Sequence, residues 1–253
     1  MQDPEKKRPM LERIQVPKTY DVLADQLRRT ILDGELDEGE RLPTERELVD
    51  QTGLSRGSVR EAISMLEVEG LVSPKPGRFG GNIVRRPDNN SMAHFVGQFV
   101  RSRRLPLRTL HETRETIEPA LARLAAENRT EAELEFIRSL NTEMASPGMD
   151  AARFAALNIK WHNAIAAASR NDLLAALLYA MSYGVIAATT EEVYDTPDIQ
   201  EIVCRAHERV IAAIEAQDGD AAYRRMERHV RATRAKAKAI EDLELPLDPP
   251  DNR

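Results

Sequence analysis

What this sequence has little of limits it first. One cysteine, Cys204, stands among 253 residues; no internal disulfide framework is possible, and a reducing, cytoplasmic setting is expected. Aromatic residues make up only 4% of the chain, so a core must be built from smaller aliphatic side chains. With plentiful Ala, Leu, Glu and Arg, that composition favours helices over sheets. Long hydrophobic runs are lacking too. The best stretch, residues 173–188, is interrupted by Ser182, Gly184 and two tyrosines and is short for a bilayer span; it reads as a buried helix at the centre of a bundle, apolar on nearly every side. The first eight residues are polar and no apolar segment follows, so no secretory signal is expected. Positive charge is not in excess: 36 Lys and Arg face 42 Asp and Glu, a net charge of −6. That excludes a protein that coats nucleic acid through bulk charge, and any such contact must come from a local patch.

The patch lies in residues 42–86. Thr44 followed by Glu47 forms a capping box that predicts a helix start. Gly53 and Leu54 make a turn, and Ser55 can cap a second helix in which Val59, Ala62, Ile63 and Leu66 share one buried face. Arg56 and Arg60, four residues apart, project together from another face of its first turns, where a helix-turn-helix meets base edges in the major groove. No acid occurs between Asp50 and Glu61. Beyond Gly70, Leu71 and Val72 begin a strand, Gly77 permits a turn, and Ile83 and Val84 fit the return strand. Lys75, Arg78, Arg85 and Arg86 make this hairpin a basic wing.

Around the patch the chain divides by composition. Residues 1–16 are mixed in charge and poor in large apolar groups, as expected of a disordered leader. A winged helix-turn-helix domain is expected over 17–86, supported by a helix at 18–33 whose apolar face is Val22, Leu23, Ala24, Leu27, Ile31 and Leu32, with an acidic loop at 35–41. Pro87 to Ser91 has the composition of a linker. Residues 92–241 show helical periodicity throughout, with a second capping box at Thr130 and Glu133, and predict an antiparallel all-helical bundle, the architecture that places ligand sites between facing helices. A loose tail, 242–253, closes the chain. The fold class is thus mainly α, with one short hairpin.

The run Leu42-Pro43-x-Glu45-Arg46-x-Leu48, followed by Ser55-Arg56-x-Ser58-Val59-Arg60-x-Ala62, resembles the DNA-binding domain of the GntR family of bacterial transcription regulators. The resemblance implies operator contacts by Arg46, Arg56 and Arg60, supported by Ser55, Ser58 and the wing turn at Gly77. The pieces at 112–126, 161–171, 206–214 and 218–230 resemble the FCD effector domain of the FadR-like branch of that family. Together they imply a homodimeric regulator, expected to be a repressor, that reads an inverted repeat in double-stranded DNA and responds to a small organic acid.

Three histidines lie on three different predicted helices of the bundle. His207 continues the apolar face of Val203, Val210, Ile211 and Ile214, and His229 sits among Ala222, Met226, Val230 and Thr233. A lone inward histidine is usually a hydrogen-bonded core residue, but three on neighbouring helices, His162 included, are the usual ligands of a zinc, nickel or manganese-like ion. In resembling domains an Asp, a His four residues later and two further histidines hold a metal. His162, His207 and His229 match the histidines, and Asn158 stands where the Asp is expected. An Asn carbonyl can ligate but brings no negative charge, so the metal should bind more weakly or depend on an anionic effector.

Arg114 matches the arginine that such domains direct at an effector carboxylate; by spacing alone it is equally an ordinary ion pair with Glu118. Cys204 reads as a small buried hydrophobe, and His94 and His111 have no comparable setting. An enzyme is the weaker class. Three histidines with open positions could activate water, but no adjacent carboxylate is evident as a general base, and neither G-x-S-x-G nor a phosphate loop occurs.

Overall fold

The computed structural model describes residues 17–77, 80–189 and 196–236; the expected leader and tail, and Arg78 of the wing, lie outside them. The chain splits into two compact units between Pro87 and Asp88.

In the first unit, α1 (Thr19–Leu32), α2 (Glu45–Thr52) and α3 (Arg56–Val68) precede β1 (Val72–Lys75) and β2 (Gly81–Val84). The local chemistry that starts and stops these helices is in place. The Thr44 hydroxyl accepts from the Glu47 amide at 3.2 Å while the Glu47 carboxylate accepts from the Thr44 amide at 2.7 Å, so two orphan donors are satisfied reciprocally. Gly53 ends α2 in the left-handed region at φ 69°, which glycine adopts without steric cost. Ser55 Oγ then accepts from the Ser58 amide at 3.1 Å and opens α3. The stripe Val59, Ala62, Ile63 and Leu66 packs on Leu23, Leu27 and Ile31 of α1. Each large side chain buried there contributes roughly 1.5–3 kcal/mol, and truncating Leu66 to Ala would cost about 2–5 kcal/mol. Val22 and Leu32, expected on the same face of α1, are instead 44% and 60% exposed. Each is adjacent to a buried residue and so is turned about 100° away from the stripe.

The hairpin pairs antiparallel from Val72↔Val84 to Lys75↔Gly81. It has a third edge that the sequence did not suggest: Arg41 bridges Ile83, Leu42 N donates to Asn82 O at 2.9 Å, and Val84 N donates to Glu40 O at 2.8 Å. The expected acidic loop therefore ends as sheet. Its residues lack the alternation that marks a strand, and the pairing comes from β2 offering a free edge.

The second unit is helical throughout its described residues: α4 (Asn89–Ser102), α5 (Leu107–Asn128), α6 (Glu131–Met144), α7 (Ala151–Ala168), α8 (Asp172–Thr189), α9 (Pro197–Glu215) and α10 (Gly219–Lys236). Asp88 accepts from the Ser91 amide at 2.8 Å and caps α4. Most of the linker expected at 87–91 is therefore the first turn of a helix, and the irregular connection is residues 85–88. The Thr130–Glu133 capping box opens α6. The helix at the centre is α5, which packs against α7, α8, α9 and α10 and runs through Pro119. Here the expectation for residues 173–188 needs correction. Leu173 is 65% exposed, and within the described side chains of α8 full burial begins at Leu178. Leu174 and Leu177 are only partly buried, and the largest fully buried side chains, Trp161 and Phe154, belong to α7 instead.

Candidate metal centre and nucleic-acid face

α7, α9 and α10 bring His162, His207 and His229 together, all buried, and they are the one group of metal-competent side chains among the described residues. Their Nε2 atoms converge: His207 to His229 is 3.2 Å and His229 to His162 is 3.3 Å. The outer nitrogens are held separately. Asn141 donates from Nδ2 to the Cys204 carbonyl at 3.2 Å, which turns its Oδ1 toward His207 Nδ1 at 3.1 Å. His207 must therefore carry its proton on Nδ1, leaving the Nε2 lone pair facing the cluster. Glu118 Oε2 lies 2.5 Å from His162 Nδ1, a buried contact that ties that ring to α5. Trp161 supports the group from the side, its indole stacked on His207 with centroids 3.6 Å apart and planes 8° from parallel.

Electrostatics keep the imidazoles neutral. Burial depresses the pKa of His162 against the opposing pull of Glu118. It holds His207 well below the usual histidine range, and it lowers His229 to about 3, with the neighbouring histidines adding to both shifts. Burial alone would raise Glu118, but the Arg114 charge, with further lowering from the contact with His162, outweighs it and holds the carboxyl at about 2. Arg114 Nε donates to Glu118 Oε1 at 2.5 Å, both side chains being buried.

These residues fit a divalent ion. Neutral imidazole lone pairs converging without a cation repel one another. With N–metal bonds of about 2.0–2.1 Å, the edge of a tetrahedral ligand set is ~3.3 Å, close to the two separations from His229 Nε2 given above. Asn158 is buried on α7 one turn before His162, and the outer nitrogen of His207 has, in Asn141, the oriented partner that metal-binding histidines need.

The other candidate face belongs to the first unit. Arg46, Arg56 and Arg60 are all exposed. Arg60 Nε donates to Glu45 Oε2 at 2.8 Å, and Arg46 Nε is 3.9 Å from Asp50 Oδ2. The acid-free window of the sequence is thus not acid-free in space, because α2 delivers Glu45 to α3. Such exposed pairs are worth about 0–1 kcal/mol, so a phosphate or a guanine edge can displace the carboxylate at small cost. Arg56 has no ion pair among the described residues. Ser55 and Ser58 bond each other, Oγ to Oγ at 3.0 Å, as part of the cap. Gly77 turns the wing at φ 115°, and on the wing Lys75, Arg85 and Arg86 are exposed.

Comparison with known proteins agrees with both halves. Residues 19–78 match the family described as bacterial regulatory proteins, gntR family, and residues 109–232 match the FCD domain. The HTH-type transcriptional regulator LutR of Bacillus subtilis is 30% identical over 79% of this chain and 92% of its own. The chain belongs to the GntR family. The Glc operon transcriptional activator of Escherichia coli is 28% identical over 89% of this chain and 90% of its own. The putative L-lactate dehydrogenase operon regulatory protein of Escherichia coli is 30% identical over 88% of this chain and 87% of its own. A Streptococcus agalactiae GntR structure has the same fold, with a TM-score of 0.62 at 23% identity over 85% of this chain and 99% of that one. This GntR protein is accordingly a DNA-binding transcriptional regulator and not an enzyme.

Within the regulator, the fold gathers the three predicted histidines, and Asn158 is buried one turn before His162 on α7. Arg114 reaches them through Glu118. Glu118, Asn141 and Trp161 are the site residues that the sequence reading missed, and Glu118 is the adjacent carboxylate it did not find. A signal for it was available: Leu107, Leu110, Arg114, Glu118, Leu121 and Ala125 recur at three or four residues along one face of α5, so both charges of the pair lie on the buried stripe. His111, set aside in the sequence, is also buried on α5, whereas His94 is exposed and contacts Gln98. Cys204 is a buried free thiol raised to about 11, chiefly by burial, which suits a small hydrophobe. No described helix is long and apolar enough to cross a membrane.

Proposed function

We propose that this GntR regulator acts in the cytoplasm as a homodimeric repressor that binds an inverted-repeat operator and is released by a small carboxylate effector at the histidine centre. The convergence of three neutral Nε2 atoms inside the FCD domain carries the reading. A neutral, oriented histidine triad suits a zinc, nickel or manganese-like ion, held by His162, His207 and His229 with the Asn158 carbonyl as a further donor. When bound, the ion supplies a cationic position for an effector carboxylate. Arg114 is the second cation available to that effector, which would exchange with or share its place beside Glu118. On DNA, Arg56 and Arg60 read base edges in the major groove, Arg46 and the wing around Gly77 hold the backbone, and Ser55 and Ser58 set the start of the reading helix. Effector binding must favour one arrangement of the DNA-binding domains over another, since equal affinity for both shifts nothing.

The E. coli relative named for the L-lactate dehydrogenase operon makes L-lactate the first effector to test. Metal analysis of untagged protein should find about one divalent ion per chain, and operator titrations with metal-loaded protein should show release on adding L-lactate or another small carboxylate. Because the Glc operon relative is named an activator, a promoter fusion must read the sign: expression rising when the gene is deleted is expected, and expression falling would make this protein an activator. Absence of metal even after reconstitution would leave a metal-free ligand pocket.

A further inference from the structure

A pocket of about 300 Å³ opens between α9 and α10, with His229 of the histidine centre in its lining. Its floor is apolar, with Ile199, Ile202 and Val203 of α9, and four guanidinium groups stand around it: Arg205, Arg209, Arg225 and Arg228. Arg205 is matched by Glu201 at 2.6 Å. Arg225 donates to the backbone carbonyl of Arg209 at 2.5 Å, which positions it without neutralising it. Arg209, Arg225 and Arg228 have no ion pair with a carboxylate among the described residues. Three cations without a carboxylate partner among the described residues thus line one pocket together with apolar side chains, and an anion would relieve their mutual repulsion while covering those side chains.

We propose that this pocket is an anion site for an organic acid with an apolar body, its carboxylate or phosphate held by Arg209, Arg225 and Arg228 and its chain lying on Ile199, Ile202 and Val203. The pocket shares His229 with the histidine centre, but its cations are not the Arg114 assigned to the effector there, and none of Glu118, His162 and His207 lines it. Planar guanidinium groups suit both carboxylate and phosphate oxygens, and a volume near 300 Å³ is at the small end of ligand pockets, which favours a medium-length chain over a nucleotide.

The test is isothermal titration of the full chain with octanoate, octyl phosphate and octanol. One site per chain is expected for at least one of the anions, with no matching site for octanol; the stronger anion identifies the headgroup. Arg209→Gln and Arg228→Gln should each weaken that binding about tenfold or more, as loss of a charged hydrogen bond implies. Arg153→Gln, an equal charge change on α7, should leave it unchanged, and thermal melts should show all variants folded. Absence of anion binding at millimolar concentration, or equal binding of octanol, would overturn the proposal. So would affinity lost in Arg114→Gln but kept in the α9–α10 variants, since that outcome places the anion at the histidine centre.

Discussion

On α3, Arg56 and Arg60 stand in solvent, and the nearest acid, Glu45, holds Arg60 through an exposed pair; in the second unit, Arg114 and Glu118 are buried against each other and against His162. The same two residue types therefore do opposite work. Exposed arginines keep their hydrogen-bonding capacity for a partner that arrives later, and losing them should barely affect folding. The buried pair has already been desolvated, and its charges stay compensated only while every member remains. Removing one leaves the other unpaired in a low-dielectric interior, at a cost of about 3–5 kcal/mol.

Glu118→Gln is the strongest way to break this contrast. The substitution keeps the shape but leaves the Arg114 charge uncompensated and weakens the hold on His162. Urea unfolding should show a loss of about 3 kcal/mol or more, and metal affinity should fall by about 10–100-fold, as for other lost partners of metal-binding histidines. A variant as stable as the parent would mean that Arg114 finds another carboxylate, and that the pair is not what orients the centre.

Arg56→Ala and Arg60→Ala probe the exposed side. Each should cost about 1–3 kcal/mol of sequence-specific binding while changing unfolding free energy by less than about 0.5 kcal/mol. Arg60 should show the smaller net loss, because its truncation also frees Glu45 from a pair that DNA would have to displace. Operator titration against a scrambled duplex separates base reading from general phosphate contact; equal losses on both would demote these arginines to backbone contacts.

The contrast also explains what could be read from the sequence. The capping boxes at Thr44 and Thr130, the glycine turn at Gly53 and the periodic faces of α3 and α9 are local devices, and all appear in the fold. The three histidines were legible because two of them interrupt apolar faces. Glu118 was not, because an Arg and a Glu four residues apart look alike in sequence whether they face solvent or core; only the register of α5 against its neighbours decides. Asn141 joins the centre across 66 positions of chain from His207, and Trp161, although it directly precedes His162, stacks on His207 across 46, distances over which local pattern says nothing. The bridge at Arg41 and the pairing of Glu45 with Arg60 are likewise contacts between separate elements.

Asn158→Asp tests the centre from the opposite direction. An added carboxylate one turn before His162 supplies negative charge near a bound cation, and calorimetry should show metal binding tightened about tenfold, equivalent to ~1.4 kcal/mol. Without metal the same carboxylate is buried with no added cation to offset it, so the metal-free variant should unfold more easily than the parent. Weaker metal binding would show that the Asn carbonyl suits this cavity better than an anion does.

The smallest effect is expected at Glu133, and it isolates burial as the cause of the large one. Like Glu118, Glu133 is held at about 2; bonds from Arg170 and from the Thr130 cap lower it against a modest burial effect. Arg170 reaches it with two bonds, 2.6 and 2.8 Å, but the arginine side chain is 48% exposed. Because the folded-state pKa lies below the ordinary value of 4.5, the folded form binds the proton less readily than the unfolded form. The stabilisation is therefore fully present above about pH 4.5 and is lost as pH falls toward 2. Solvent screening should limit it to about 1 kcal/mol or less, so Glu133→Gln should cost about that much at neutral pH and nothing near pH 2, read from urea midpoints across the range. If Glu133→Gln instead proved as damaging as Glu118→Gln, the penalty would follow from a depressed carboxyl pKa alone, and burial would not be what separates the histidine centre from the protein surface.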